Sequence, residues 1–179
     1  MSESILSLIL ASGSLILVAV AAATALGAGA PGAVGLRRLL LARGRWLSFA
    51  IAAVATGGSL YYSEVAHFVP CTLCWYQRIA MYPLAIVLLV GAVTRDVRSM
   101  LYVVPIAAAG LLVSLYHYQL ELFPEQATVC TTGVPCSFRY VEEFGFISIP
   151  FMAGSAFISI LALQFAMWRA ARGELHAER

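Results

Sequence analysis

The sequence predicts an all-α integral membrane protein with five transmembrane helices. Three observations carry this. About 61% of the 179 residues are hydrophobic and only 11% are charged, where a soluble domain carries roughly a quarter charged. The charges collect at the ends of long uncharged runs. Five of those runs meet or approach the roughly 20 apolar residues that a helix needs to cross the hydrocarbon core. A soluble domain of this length needs a charged shell that the composition cannot supply. The apolar content also excludes intrinsic disorder. The 11 basic residues are all arginine and face 9 acidic ones, a net charge of +2. That balance excludes a nucleic-acid binder working through a basic face.

The runs fall in order along the chain. Ser4 to Leu36 is uncharged and gives the first span. The cluster Arg37, Arg38, Arg43 and Arg45 follows, read as a basic loop. Trp46 to Ser63 gives the second span. The third begins near Trp75 and runs to Thr94, before Arg95, Asp96 and Arg98. Ser99 to Leu120 gives the fourth, uncharged apart from His117. A polar stretch from Glu121 to Glu143 leads to the fifth, Phe144 to Trp168. Only helices satisfy every backbone group within one such segment, and the alternating short strands of a barrel are missing.

Orientation follows from the arginines. One set of connections holds Arg37, Arg38, Arg43, Arg45, Arg95, Arg98, Arg169, Arg172 and Arg179, nine of the 11; the other holds only Arg78 and Arg139. The two sets alternate as five spans require. The expected topology is N-terminus outside and C-terminus inside. The small-residue run at 25–30 looks like a signal cleavage site, but the start lacks a positive n-region, so a retained helix is expected.

All four cysteines fall in the outward set. Cys71 and Cys74 form Cys-Thr-Leu-Cys before the third span, and Cys130 and Cys136 lie in the second outer loop. Three chemistries are open. Two structural disulfides would fit an oxidising compartment, although a bridge within Cys-X-X-Cys closes too small a loop to restrain the chain much. Zinc would use four thiolates, but the second pair is loosely spaced and the compartment oxidising, so no metal is expected. Redox exchange has local support. Pro70 sets a helix start at the motif, and a cysteine in the first turn feels the positive helix end. Arg78 lies four residues after Cys74, on the same face. Both features favour the reactive thiolate. An ionisable residue at the membrane boundary is a functional candidate, while the plainer reading of Arg78 is snorkelling to headgroups. His117, within Tyr-His-Tyr-Gln, fits either an aromatic belt or a donor to a bound carbonyl compound. The loop Cys130-Thr-Thr-Gly-Val-Pro-Cys136 carries turn residues and is expected to be an exposed bend, open to attack by an external thiolate.

These residues resemble the disulfide bond formation protein B (DsbB) family, and within it a BdbC-like branch with a short outer loop. The resemblance runs through Pro-Cys-Thr-Leu-Cys-Trp-Tyr-Gln-Arg at 70–78, Tyr-His-Tyr-Gln at 116–119, and the Cys130–Cys136 loop with Glu-Phe-Gly-Phe-Ile-Ser-Ile-Pro up to Pro150. It covers roughly 46–168. In the vitamin K epoxide reductase type the loop pair precedes the Cys-X-X-Cys; here the order is reversed. The resemblance implies a four-helix thiol–quinone oxidoreductase core at 46–168, preceded by an extra N-terminal helix with a basic cytoplasmic loop (1–45) and followed by a cytoplasmic tail (169–179). It implies an enzyme of the bacterial cytoplasmic (inner) membrane that re-oxidises an extracytoplasmic thioredoxin-fold oxidase (DsbA- or BdbD-like) and passes the electrons to a membrane quinone, ubiquinone or menaquinone. Disulfide formation in exported proteins would follow. Cys130 would take the mixed disulfide, Cys136 would attack at Cys71, and Cys74 would face the quinone with Arg78 and His117. The alternative is a non-catalytic membrane protein with two structural disulfides. For the extra helix the sequence offers no role.

Overall fold

The computed structural model describes residues 2–27, 34–126, 130 and 134–177. Its five long helices are α1 (Ser2–Gly27), α2 (Val34–Glu64), α3 (Thr72–Thr94), α4 (Met100–Leu122) and α5 (Ile149–Ala177). All five are long and apolar enough to cross a membrane, and no strand occurs among the described residues. The protein is an all-helical, multi-pass membrane protein.

Helices α2 to α5 close a ring, each packed on the next and α5 back on α2. The core inside it joins Ala52 of α2, Leu84 of α3, Val103 and Ala107 of α4, and Phe157 and Ile160 of α5, all fully buried. Lipid tails are as apolar as leucine, so close packing holds such helices together rather than the hydrophobic effect. Small residues permit it. A Cβ at Gly110 of α4 would enter the Phe157 ring, and one at Gly44 of α2 would collide with Met167. Polar side chains add links between helices: Gln77 donates to Ser114 at 3.1 Å and Gln164 to Ser48 at 3.4 Å. Helix α1 stands outside the ring, packed along α5 and only sparsely against α2.

Two boundaries differ from those expected. Arg37, Arg38, Arg43 and Arg45 lie inside α2 rather than in a loop. Arginine is a good helix former, and a helix can continue past the hydrocarbon with its charges in water. The 45/46 division therefore falls within one helix. Helix α5 starts at Ile149, five residues later than the apolar run suggests. Phe144 (φ 54°) and Gly145 (φ 77°) are left-handed and close a turn in which Glu143 and Ile147 exchange backbone hydrogen bonds at 2.9 Å. No helix passes through such a pair.

Candidate functional site

The site sits at the end of the ring where α2 meets α3 and α4 meets the loop that leads to α5. Pro70 cannot be continued backward as helix, and Cys71 becomes the N-cap of α3, its sulfur accepting the Cys74 backbone N–H at 3.3 Å. The geometry leaves Cys71 buried and Cys74 half-buried, with the two sulfurs 3.0 Å apart. A negative charge is best placed on Cys71, at the positive helix end with the Cys74 N–H aimed at it. The Cys74 thiol, first, and then the His117 ring draw the Cys71 thiol down to about 4, against the opposing effect of burial.

His117, from the last turns of α4, is 2% exposed. Its Nε2 is 3.6 Å from the Cys71 sulfur and 3.2 Å from the Cys136 carbonyl oxygen. One imidazole therefore touches both cysteine pairs. Cys130 and Cys136 are joined by a disulfide, with Cα atoms 5.8 Å apart. Both pack in one cluster with Cys71, Cys74, Leu73, Leu120 and Val113. The expectation of an exposed bend holds only in part: Cys136 is 1% exposed and Cys130 is half-buried. Gly133 lies outside the described residues, so its expected turn is not described.

An aromatic stack holds this loop in place. Tyr62 of α2 stacks on Phe68 at 5.6 Å, and Phe68 on Tyr140 at 4.7 Å. The Tyr140 hydroxyl donates to the Val69 carbonyl at 3.1 Å. Arg139 reaches back to α4, donating to the Glu121 carbonyl at 3.1 Å. These residues escaped the sequence reading. Their aromatic character was visible, but their pairing joins positions some seventy residues apart.

Arg78 lies over the Trp75 ring at 5.3 Å and donates to the Ser59 carbonyl at 3.1 Å. With Cys74 and Gln77 it lines one end of an open groove of about 520 Å³ between α1, α2, α3 and α5. That size is ordinary for a small-molecule site. The rest of the lining is almost wholly apolar. The Tyr62 hydroxyl, another lining group, is buried with no hydrogen-bond partner. A flat polar-edged ring with an apolar tail would fit such a groove, the ring beside Cys74, Arg78 and Tyr62. His117 does not line it; of the two expected quinone contacts, only Arg78 stands at the groove. The Cys71 and Cys74 sulfurs and a ring nitrogen of His117 lie within 4.8 Å of one another, three donors where a closed zinc site takes four.

Comparison with known proteins places this arrangement. No solved structure matches the chain. A "Probable disulfide formation protein" of Oceanobacillus iheyensis is 49% identical over 119 residues, 65% of this chain and 82% of that protein. "Disulfide bond formation protein C" of Bacillus subtilis is 46% identical over 118 residues, covering 65% and 86%. The "SPbeta prophage-derived disulfide bond formation protein B" of the same organism is 42% identical over 118 residues, covering 65% and 80%. The profile of disulfide bond formation protein DsbB matches residues 41–172, which takes in the whole site and leaves α1 outside. The chain thus belongs to the DsbB family of membrane disulfide-formation proteins.

Proposed function

We propose that the protein is a thiol–quinone oxidoreductase that re-oxidises an extracytoplasmic thioredoxin-fold oxidase and delivers the electrons to membrane ubiquinone or menaquinone. The observation that carries this reading is the single imidazole of His117 in contact with both cysteine pairs. Two purely structural disulfides need no such convergence.

The exchange runs in two thiol–disulfide steps. A donor thiolate attacks the Cys130 sulfur, the more accessible of the loop pair; the Cys130–Cys136 bond breaks, and Cys136 leaves as a thiolate. The second donor thiol closes the donor disulfide and frees Cys130. Cys136 then attacks Cys71 of a Cys71–Cys74 disulfide, and Cys74 leaves as a thiolate. Attack by Cys130 on Cys136 restores the loop disulfide and releases Cys71. The outcome is a closed loop disulfide beside a Cys71–Cys74 dithiol, the arrangement described above. When bound beside Cys74 and Arg78, a quinone would supply the acceptor for the two electrons and two protons released as Cys71–Cys74 re-forms. Arg78 offers a fixed positive charge at the groove end where negative charge develops. His117 sets its Nε2 against the Cys71 sulfur and keeps the Cys136 backbone beside it. In the bilayer the cysteine end would face outward and the arginine-rich end the cytoplasm, with the N-terminus outside.

The test is quinone reduction by the purified protein, with a reduced thioredoxin-fold oxidase as donor and loss of quinone absorbance as readout. Turnover should vanish in Cys74→Ser and in Cys130→Ser. Folded wild type that reduces neither ubiquinone nor menaquinone would leave the structural-disulfide reading.

A further inference from the structure

Helix α1 belongs to no part of the matched family region, yet it forms one wall of the groove. It packs along α5 and stays apart from α2 over most of its length, so a trough opens between α1 and α2 with α5 as its floor. Ile9, Leu10, Gly13, Leu17, Val20 and Ala21 give the α1 wall, a run of about 18 Å along the helix. The trough narrows near the cysteine end, where a Cβ at Gly58 would lie 3.2 Å from Leu10. Ser7 donates to the Glu143 carboxylate at 2.6 Å and ties α1 to the turn before α5. Cys74, Gln77, Arg78 and Tyr62 gather at one end; the serines farther along, Ser14 on the α1 wall and Ser155 and Ser159 on the α5 floor, turn their hydroxyls to carbonyls of their own helices.

We propose that α1 is the outer wall of a channel for the polyisoprenoid tail of the quinone, and that this added helix makes the chain discriminate quinones by tail length. The inference rests on the proposed quinone chemistry and deepens it. The occupant follows from the polarity along the trough. A redox-active thiol and an arginine sit at one end, and an apolar run of helix length leads away from them. In the proposed orientation this run descends into the bilayer. A tail moving from lipid into the groove leaves one apolar medium for another, so its gain comes from packing rather than from the hydrophobic effect. The expected discrimination is accordingly modest, about tenfold in affinity rather than thousands.

The experiment uses the full chain in detergent and two quinones of one head group. One carries a single isoprene unit and the other a long polyisoprenoid tail. A Cβ built at Gly13 meets no atom within 4 Å, so Gly13→Phe places a ring in the groove without strain in the helix. Ile16 is 64% exposed and is not a lining residue, so Ile16→Phe places the same ring on α1 outside the groove. Binding is read by quenching of tryptophan fluorescence, and retained quinone by extraction from the purified protein. An unchanged thermal unfolding midpoint in detergent reports an intact fold. Gly13→Phe should weaken the long-tail quinone about tenfold and leave the single-isoprene quinone within twofold; Ile16→Phe should change neither. Equal loss for both quinones, or loss for neither, overturns the tail channel. Release of phospholipid by Gly13→Phe with long-tail affinity unchanged marks the groove as a lipid seat and also overturns it. Wild type that binds and reduces neither quinone removes the quinone reading itself, and the channel with it.

Discussion

His117 Nε2 stands 3.6 Å from the Cys71 sulfur, at the point where that sulfur also caps α3. The Cys71 thiolate is thus held by Cys74 first and by the imidazole second. A lowered thiol pKa means that the charged form persists as pH falls and disappears only through the folded value. In a Cys130→Ser/Cys136→Ser background, thiolate absorbance should therefore rise in acid, well below the ordinary thiol range. His117→Asn should move that rise upward, and Cys74→Ala should move it further, toward the ordinary thiol value of about 8.5. A titration unchanged by His117→Asn would remove the imidazole from the account.

The loop cysteines should differ in access. Cys136 is 1% exposed and Cys130 half-buried, so a bulky maleimide should label Cys130 first once the loop disulfide is reduced. A local opening costing about 1.4 kcal/mol already gives a tenfold difference in rate. Mass mapping of the labelled sites checks the order. Faster labelling at Cys136 would reverse the assignment of the attacked sulfur.

How much of this was legible in sequence varies residue by residue. The helix start at Cys71 was, because Pro70 and the first-turn chemistry act locally. The five spans were, because charge interrupts apolar runs. Which way a span faces was not: helices apolar all round carry no stripe to mark a buried side. That is why His117 could be set at the right end of α4 but not against Cys71, and why the groove side of α1 could not be read. The Tyr62–Phe68–Tyr140 stack is a tertiary event, and no local period encodes it. The arginines of α2 misled for a different reason. Charge marks the edge of the hydrocarbon, and that edge is not the end of the helix.

Arg78 should not be replaceable by lysine. Its planar group stacks on Trp75 and donates to the Ser59 carbonyl, a pair of contacts that an ammonium cannot reproduce with the same geometry. Under the proposed function, Arg78→Ala should lower quinone turnover about a hundredfold, the scale for losing one preorganised stabilising group. Arg78→Lys should recover only part of this. Exchange between the donor and the Cys130–Cys136 disulfide should be unchanged in both. Equal losses in both half-reactions would make Arg78 a structural residue.

Gly110 should be intolerant of bulk. A side chain there meets the Phe157 ring of α5. Overpacking of this kind costs about 1–3 kcal/mol, so Gly110→Val should lower the thermal unfolding midpoint in detergent. Adding Phe157→Leu should restore part of it, since the two positions share one contact. Strict additivity of the two losses would show that they do not meet.

The aromatic stack should govern communication between the cysteine pairs rather than the stability of the ring. Tyr140 holds the loop between α4 and α5 through Phe68 and through its hydroxyl on Val69. An aromatic pair contributes about 0.5–1.5 kcal/mol and a hydrogen bond about as much, so Tyr140→Ala frees the loop by roughly the sum of the two. The ring of α2 to α5 has its own core around Phe157 and Ile160, out of reach of that change. In a Cys74→Ser/Cys130→Ser background only Cys71 and Cys136 remain, and mild oxidation should join them readily because both pack in one cluster. Tyr140→Ala should slow that joining several-fold while the helical unfolding midpoint stays nearly fixed. Tyr140→Phe, which keeps the stack and loses the hydroxyl, should fall between. Joining at the parent rate in Tyr140→Ala would mean that Arg139 and the His117–Cys136 contact hold the loop alone, and the stack would then have no part in electron transfer between the pairs.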